Sequence, residues 1–294
     1  MTGVQTCALP ILNKQYQKSM EEEGNQQKKW SISDFICLKK VGEGSFGEVF
    51  LARERSSNCI VCLKAIQKSK IMYSKQVSQM VNEIEINMSL SHKLILKFYG
   101  YFYDEESIYL ILEYAPNGSL YNKVMDGNHL DEKTAVEYFM QLCEVLIYVH
   151  NQGVMHRDIK LENILIGIDG KIRLCDFGLA VQTQGKRITK CGTEVYFAPE
   201  IEHRDEYGKE IDIWALGIIL CELLCGETPT VNYKNPLSEK KEYESVTFPD
   251  SFYSLKEEAR NFIFKFLNPD PNKRITLEEA IRDPWPLNIL GKHN

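Results

Sequence analysis

The chain turns on His156-Arg157-Asp158-Ile159-Lys160-Leu161-Glu162-Asn163, with Asp176-Phe177-Gly178 a short way downstream. Together they supply the Asp158 and Asp176 carboxylates, the Asn163 amide and Lys160. Phosphoryl transfer asks a protein for little covalent help. It asks for positioning and for charge neutralisation, mostly through Mg²⁺. Asp158 can accept the proton of an incoming hydroxyl. Asn163 and Asp176 offer hard oxygen ligands to Mg²⁺. Lys160 can offset charge on the transferring phosphoryl. Three unrelated polar surface loops would not produce this order and spacing.

With Ala198-Pro199-Glu200 added, the order H-R-D-x-K-x-x-N, D-F-G, A-P-E resembles the eukaryotic-type protein kinases, from about Trp30 to about Trp285. The resemblance implies an α+β, two-lobed fold. Its small lobe is a five-stranded antiparallel sheet plus one helix, termed αC in that family; its large lobe is mostly helical. The expected bounds are a leader at 1–28, the small lobe at 29–114, the large lobe at 115–290 and a tail at 291–294.

Composition agrees with a two-lobed globular protein. The chain has 294 residues, 44% hydrophobic and 26% charged. A net charge of −6 argues against a general nucleic-acid or anionic-membrane binder. The apolar run from Ile213 to Cys225 is short and broken by Glu222, so it reads as a buried helix. Nine scattered cysteines fit a reducing, intracellular compartment. Cys59 and Cys62 form a lone C-x-x-C, expected as two strand residues on either side of a turn and not as a zinc site. Met1 to Ile11 resembles a translated sequencing adapter. It is excluded from the fold, and the natural N-terminus is expected to differ. Residues 13–29 are rich in Gln, Glu and Lys and are expected to be a frayed lead-in.

In the small lobe, Val41-Gly-Glu-Gly-Ser-Phe-Gly-Glu-Val49 is G-x-G-x-x-G-x-V ahead of a strand expected over 48–53. Gly42, Gly44 and Gly47 would let backbone approach phosphates closely. The family resemblance implies nucleotide contacts from Val41, Val49 and Cys62, with Lys64 on the phosphates. A helix is expected over 75–90, with Met80, Ile84 and Met88 on its buried face. Glu83, nineteen residues after Lys64, matches the αC glutamate that pairs with that lysine. Strands are expected over 97–103 and 107–113. Leu112 resembles the gatekeeper, and Glu113 and Ala115 the hinge that binds adenine through its backbone. Further nucleotide contacts are implied for Glu162, Asn163, Leu165, Cys175 and Asp176.

Two stretches narrow the family. Lys97-Phe-Tyr-Gly-Tyr-Phe-Tyr-Asp104 and Tyr109-Leu-Ile-Leu-Glu-Tyr-Ala-Pro-Asn-Gly118 resemble Aurora kinases, as do Trp30 to Phe35 and Lys186 to Thr193. Asn87, four residues after Glu83, stands where Aurora kinases carry an amide in an otherwise apolar stack joining the lobes. Leu179 and Ala198 depart from the animal Aurora pattern, which leaves a related branch such as polo-like or calcium-dependent-like kinases open. Asp131 is expected to cap a helix reaching Asn151. Leu161 replaces the usual proline of the catalytic loop. Asp212 resembles the residue that holds the catalytic-loop backbone, and Arg274 the partner of Glu200.

The resemblance implies an active serine/threonine kinase using ATP and Mg²⁺. The other readings are a pseudokinase scaffold and a small-molecule kinase. Expected partners are protein substrates with arginine at minus two, facing Glu162, and an activator protein on the small lobe. No direct nucleic-acid or membrane partner is expected, and the catalytic domain is expected to be monomeric. Cytoplasmic or nuclear residence, with spindle or centrosome association, is implied by resemblance alone. Thr189, with Arg187 at minus two, is the expected phosphorylation switch, and Arg157 is its expected phosphate partner.

Overall fold

The computed structural model describes residues 30–44, 47–71, 74–124, 128–183, 185–203, 205–233 and 243–291. The leader at 1–28, including Met1 to Ile11, lies outside them, as does 234–242 in the polar stretch to which sequence assigned no role. The chain forms two compact units. The first takes residues up to Ser89 together with Lys97–Tyr114; the second takes Leu90–Leu96 and Ala115 onward.

The first unit is a five-stranded antiparallel sheet with one long helix. The strands are β1 (Phe35–Gly44), β2 (Gly47–Glu54), β3 (Ile60–Gln67), β4 (Phe98–Tyr103) and β5 (Ser107–Glu113). Their order is β1-β2-β3-β5-β4. Side chains alternate between the faces of a strand, so each face gathers its own core. One face packs Ile66, Ile108 and Leu110 against Met80 and Ile84 of helix α1 (Ser74–Ser89). The other buries Phe35, Ala52, Val61, Leu63, Phe102 and Ile111 under Trp30 and Tyr109. Aromatic rings continue that layer, with Phe35 and Phe102 stacked at 5.6 Å and Phe102 and Tyr109 at 4.7 Å. The expected four-residue stripe on α1 ends early. Met80 and Ile84 are buried but Met88 is 52% exposed, and Ile86 is the buried residue of the last turn. Cys59 and Cys62 do not straddle a turn. The turn closes before Cys59, which is exposed in the approach to β3, and Cys62 lies buried within β3.

The second unit is built on two helices. Helix α3 (Glu132–Asn151) follows the short α2 (Tyr121–Val124) and starts at Asp131, whose side chain accepts the Thr134 amide. Its inward face, Ala135, Phe139, Leu142, Leu146 and Val149, is completely buried. Two strand pairs follow: β6 (Val154–Met155) with β9 (Val181–Gln182), and β7 (Ile164–Ile166) with β8 (Ile172–Leu174). After the short α4 (Pro199–Glu202) comes α5 (Glu210–Cys225), buried on every side from Ile211 to Cys225. An all-round apolar helix belongs at the centre of a unit. The hairpin β10 (Thr230–Tyr233) and β11 (Tyr243–Thr247) precedes α6 (Glu257–Phe266), α7 (Leu277–Ala280) and α8 (Pro284–Ile289). Among the described residues no helix is long and apolar enough to cross a membrane.

Candidate active site

In the first unit, strand register collects the expected nucleotide residues. Directly paired residues share a face, and Gly42 pairs with Val49, Val49 with Lys64, and Cys62 with Leu112. This is the face that α1 covers, so Glu83 reaches Lys64. Its Oε1 lies 2.7 Å from Nζ, with Glu83 buried. Val41 is exposed beside a bulge in β1, and Gly44 pairs with Gly47 at the end of the hairpin. Gly47 has no room for a side chain, because a Cβ would fall on the carbonyl of Ala65. Burial pushes the Cys62 thiol up to about 11, so it stays protonated and packs as a small apolar group. Glu113 donates its amide to Lys97 O and accepts the Lys97 amide on its carboxylate. Asn87 is half-buried and donates Nδ2 to Glu83 O at 2.8 Å, so its amide donor is satisfied inside α1.

In the second unit, the β7–β8 ladder brings two of the expected site residues, Asn163 and Asp176, near each other. Ile164 pairs with Leu174, which leaves Asn163 and Cys175 opposite each other, and the Cys175 amide donates to Asn163 O at 2.9 Å. Asp176 is therefore one residue from Asn163 across the hairpin. Cys175 is half-buried with its thiol on Asn163 O, and Leu165 is half-buried and bridged to Ser119. Ala115, where the chain returns to this unit, is half-buried.

Asp158 stands at the centre. Its Oδ1 accepts Thr193 Oγ1 at 2.8 Å; its Oδ2 accepts Asn163 Nδ2 at 3.1 Å and pairs with Lys160 Nζ at 2.8 Å. Lys160 also donates to Thr193 Oγ1 at 2.9 Å. Asn163 Nδ2 donates again to Asp158 O. The amide's nitrogen is thus spent on Asp158, which leaves Oδ1 as its oxygen donor. That oxygen and the Asp176 carboxylate suit a hard divalent cation. Among the described residues no three His, Cys, Asp or Glu side chains form a metal cluster. Two protein oxygens match a cation whose other ligands come from phosphates and water. Leu161 is buried in a 3-10 turn, Leu161–Asn163, which forms without the usual proline.

The loop is held from below. Asp212, 1% exposed, accepts the His156 amide at 3.0 Å, the Arg157 amide at 2.9 Å and His150 Nε2 at 2.8 Å. Burial pushes its carboxyl up, but the His150 hydrogen bond and the loop amides outweigh it and hold it below the usual range. These bonds offset the strain of Arg157, whose φ is +66°; Asp176 has a φ of +64°. His156 Nε2 donates to Cys175 O, and its ring lies 4.9 Å from buried Phe177. Arg274 forks onto Glu200 at 2.9 and 3.1 Å, with both groups buried.

Thr189 is exposed, but the segment around it, whose polar sequence reads as a mobile loop, is tethered. Arg187 and Tyr207 exchange backbone hydrogen bonds at 2.9 and 2.8 Å. Gly192 has a φ of +109°, and a Cβ there would stand 2.6 Å from Arg157 O, so only glycine lets the segment pass. Sequence reasoning missed Glu222, seen only as a break in an apolar run. It is buried, accepts Tyr196 Oη at 2.9 Å and Thr228 Oγ1 at 2.6 Å, and is pushed up to about 7 by burial, with the Glu162 carboxylate adding to the rise. Glu162 itself is exposed.

Comparison with known proteins agrees with this geometry. The protein kinase domain family matches residues 35–286. The chain is 40% identical to an Aurora kinase of Schizosaccharomyces pombe, over 89% of this chain and 74% of that one. It is 39% identical to the serine/threonine-protein kinase Aurora-1 of Arabidopsis thaliana, over 88% of each. An Aurora kinase of Dictyostelium discoideum is 39% identical over 88% of this chain and 67% of its own length. The chain belongs to the protein kinase family, as a serine/threonine kinase of the Aurora group.

Proposed function

We propose that the chain transfers the γ-phosphate of Mg·ATP to Ser or Thr hydroxyls that follow an arginine at minus two, and that phosphate on Thr189 raises this activity. The observation that carries the transfer step is the Asp158 carboxylate, held by Lys160, Asn163 and Thr193 in the orientation of a proton acceptor. A Mg²⁺ ion supplies neutralisation of phosphate charge when bound. Asn163 and Asp176 would hold it. Lys64, fixed by Glu83, would bind phosphate oxygens, and Gly42, Gly44 and Gly47 would let backbone amides approach them.

The minus-two preference rests on Glu162 together with Glu222. An arginine guanidinium between two carboxylates replaces their mutual repulsion with charge-assisted hydrogen bonds. Ser119, which stands where some kinases use a glutamate for minus three, instead donates its hydroxyl to Asn122 Oδ1 at 2.7 Å. Arginine at minus two should therefore be favoured over minus three by about 2 kcal/mol in kcat/KM. The preference should depend on pH. Glu222 gains its charge as pH rises through about 7. The KM of the minus-two arginine peptide, relative to its alanine counterpart, should fall about tenfold from pH 6 to pH 8. The folded-state Glu222 carboxyl binds a proton more tightly than the unfolded one, so its contribution to stability is present at low pH and is lost as pH rises from about 4.5 through about 7. Equal rates on the paired peptides at every pH would remove Glu162 and Glu222 from recognition.

Phosphorylation of Thr189 adds about −1.5 to −2 charge and three strong acceptors. Arg157 offers a guanidinium for a bidentate contact beside Asp158. Wild-type protein with Mg·ATP should gain phosphate on Thr189, and Thr189→Ala should lower kcat by about tenfold to a hundredfold while ATP affinity is retained. Peptide mapping that finds no phosphate on Thr189 in a fully active preparation would contradict this.

A further inference from the structure

Arg157 already has partners without any phosphate. Its Nε donates to Leu179 O at 2.7 Å, and its Nη1 donates to Tyr207 Oη at 3.2 Å. Tyr207 Oη in turn donates to Thr189 O at 2.6 Å. A phenol has one proton to give and lone pairs to receive, and both capacities are used here. Tyr207 is 3% exposed, so water does not compete for these bonds. Its backbone also pairs with Arg187 on the same segment. A continuous path of direct hydrogen bonds thus runs from the Thr189 backbone, through one buried hydroxyl, to the residue next to Asp158.

We propose that Tyr207 is a positioning residue: its hydroxyl latches the activation segment to Arg157 while Thr189 is unphosphorylated, and so sustains the basal activity of the kinase. The latch uses the Thr189 carbonyl and not its side chain, so it operates equally in Thr189→Ala. Phosphate on Thr189 would add a second tie between the same two elements, which makes Tyr207 most important where that phosphate is absent. The proposal rests on kinase activity alone and not on Thr189 being a modification site.

The test compares wild type with Tyr207→Phe, both treated with phosphatase and shown phosphate-free by intact mass. Phenylalanine keeps the ring and the backbone bridge and removes only the hydroxyl. A hydrogen bond to a charged group in a buried setting corresponds to about tenfold or more. Tyr207→Phe should lose about tenfold in kcat on a peptide substrate, with KM for ATP changed less than twofold. Trypsin should cut faster after Arg187 and Lys190, a readout that remains when activity is too low to measure. In an Arg157→Gln background the same substitution should have little further effect. Unchanged trypsin cleavage with kcat within twofold would overturn the proposal. So would a kcat loss matched by an equal loss of ATP affinity, which marks a general structural role, or additive losses in the double variant. Active wild-type protein in the same assay separates any of these failures from failure of the kinase reading.

Discussion

Asp158→Asn is expected to reduce phosphate transfer to a peptide by about 10²- to 10⁴-fold while leaving the protein folded and able to bind ATP. The size follows from the proposed role of the carboxylate as acceptor of the hydroxyl proton, which an amide cannot take. The selectivity follows from the contacts. An Asn oxygen can still receive Thr193 Oγ1 or Lys160 Nζ, and the Asn163 amide keeps its bond to the residue 158 carbonyl. Lys64 and Glu83 lie elsewhere in the chain and lose nothing. The melting temperature should therefore shift by no more than about 4 °C. Retention of even a tenth of wild-type kcat by a phosphate-free Asp158→Asn preparation would mean that proton transfer to residue 158 contributes little. Loss of ATP binding together with transfer would mean that the substitution acts on the fold.

Arg274→Met should have the largest effect on stability. Arg274 makes a fork onto Glu200, donates Nη1 to Glu210 O at 2.6 Å and Nε to Asn268 O at 3.1 Å, and lies over the Trp214 ring. Removing it strands the Glu200 carboxylate, which is 6% exposed. Breaking a buried pair from one side costs about 3–5 kcal/mol, because the remaining charge has neither water nor partner. Urea midpoints should show that loss. Pairing the change with Glu200→Gln should recover part of it, since the stranded group is then neutral. A loss below about 1 kcal/mol would show that water or another cation reaches Glu200. Glu200 ends the activation segment and Glu210 opens α5, so local loosening here should also raise trypsin cleavage between residues 186 and 190.

Much of the scaffold was legible because local signals agreed with tertiary demands. The strand expected over 107–113 is observed with those bounds, since alternation and turn residues both mark it. Asp131 starts α3 because its side chain serves the helix's own amide, a contact within three residues. Lys64 and Glu83 could be matched because the resemblance to protein kinases pairs a lysine and a glutamate at this spacing, and β3 and α1 bring the two to 2.7 Å. The misses have a common physical form. His150, Glu222 and Tyr207 owe their roles to partners far along the chain: Asp212, Tyr196 and Arg157. No short spacing announces them. Glu222 resembles a mere interruption of an apolar helix until Tyr196 and Thr228 are seen to satisfy it. Met88 kept its place in a helical period but not in the core, where Ile86 is the buried residue of that turn, because a period of four does not fix which face is covered along the whole helix. The tether at Thr189 was hidden for a different reason. It uses backbone carbonyls and amides, which every sequence carries.

The most direct test of the account is turnover by the wild-type chain with Mg·ATP and a serine peptide carrying arginine at minus two, with ADP and phosphopeptide both quantified. The account predicts equal amounts of ADP and phosphoserine, no transfer to the matching tyrosine peptide, and loss of both products in Asp158→Asn. Nucleotide binding without phosphopeptide, under conditions where Thr189 carries phosphate, would contradict it and leave the chain a nucleotide-binding scaffold.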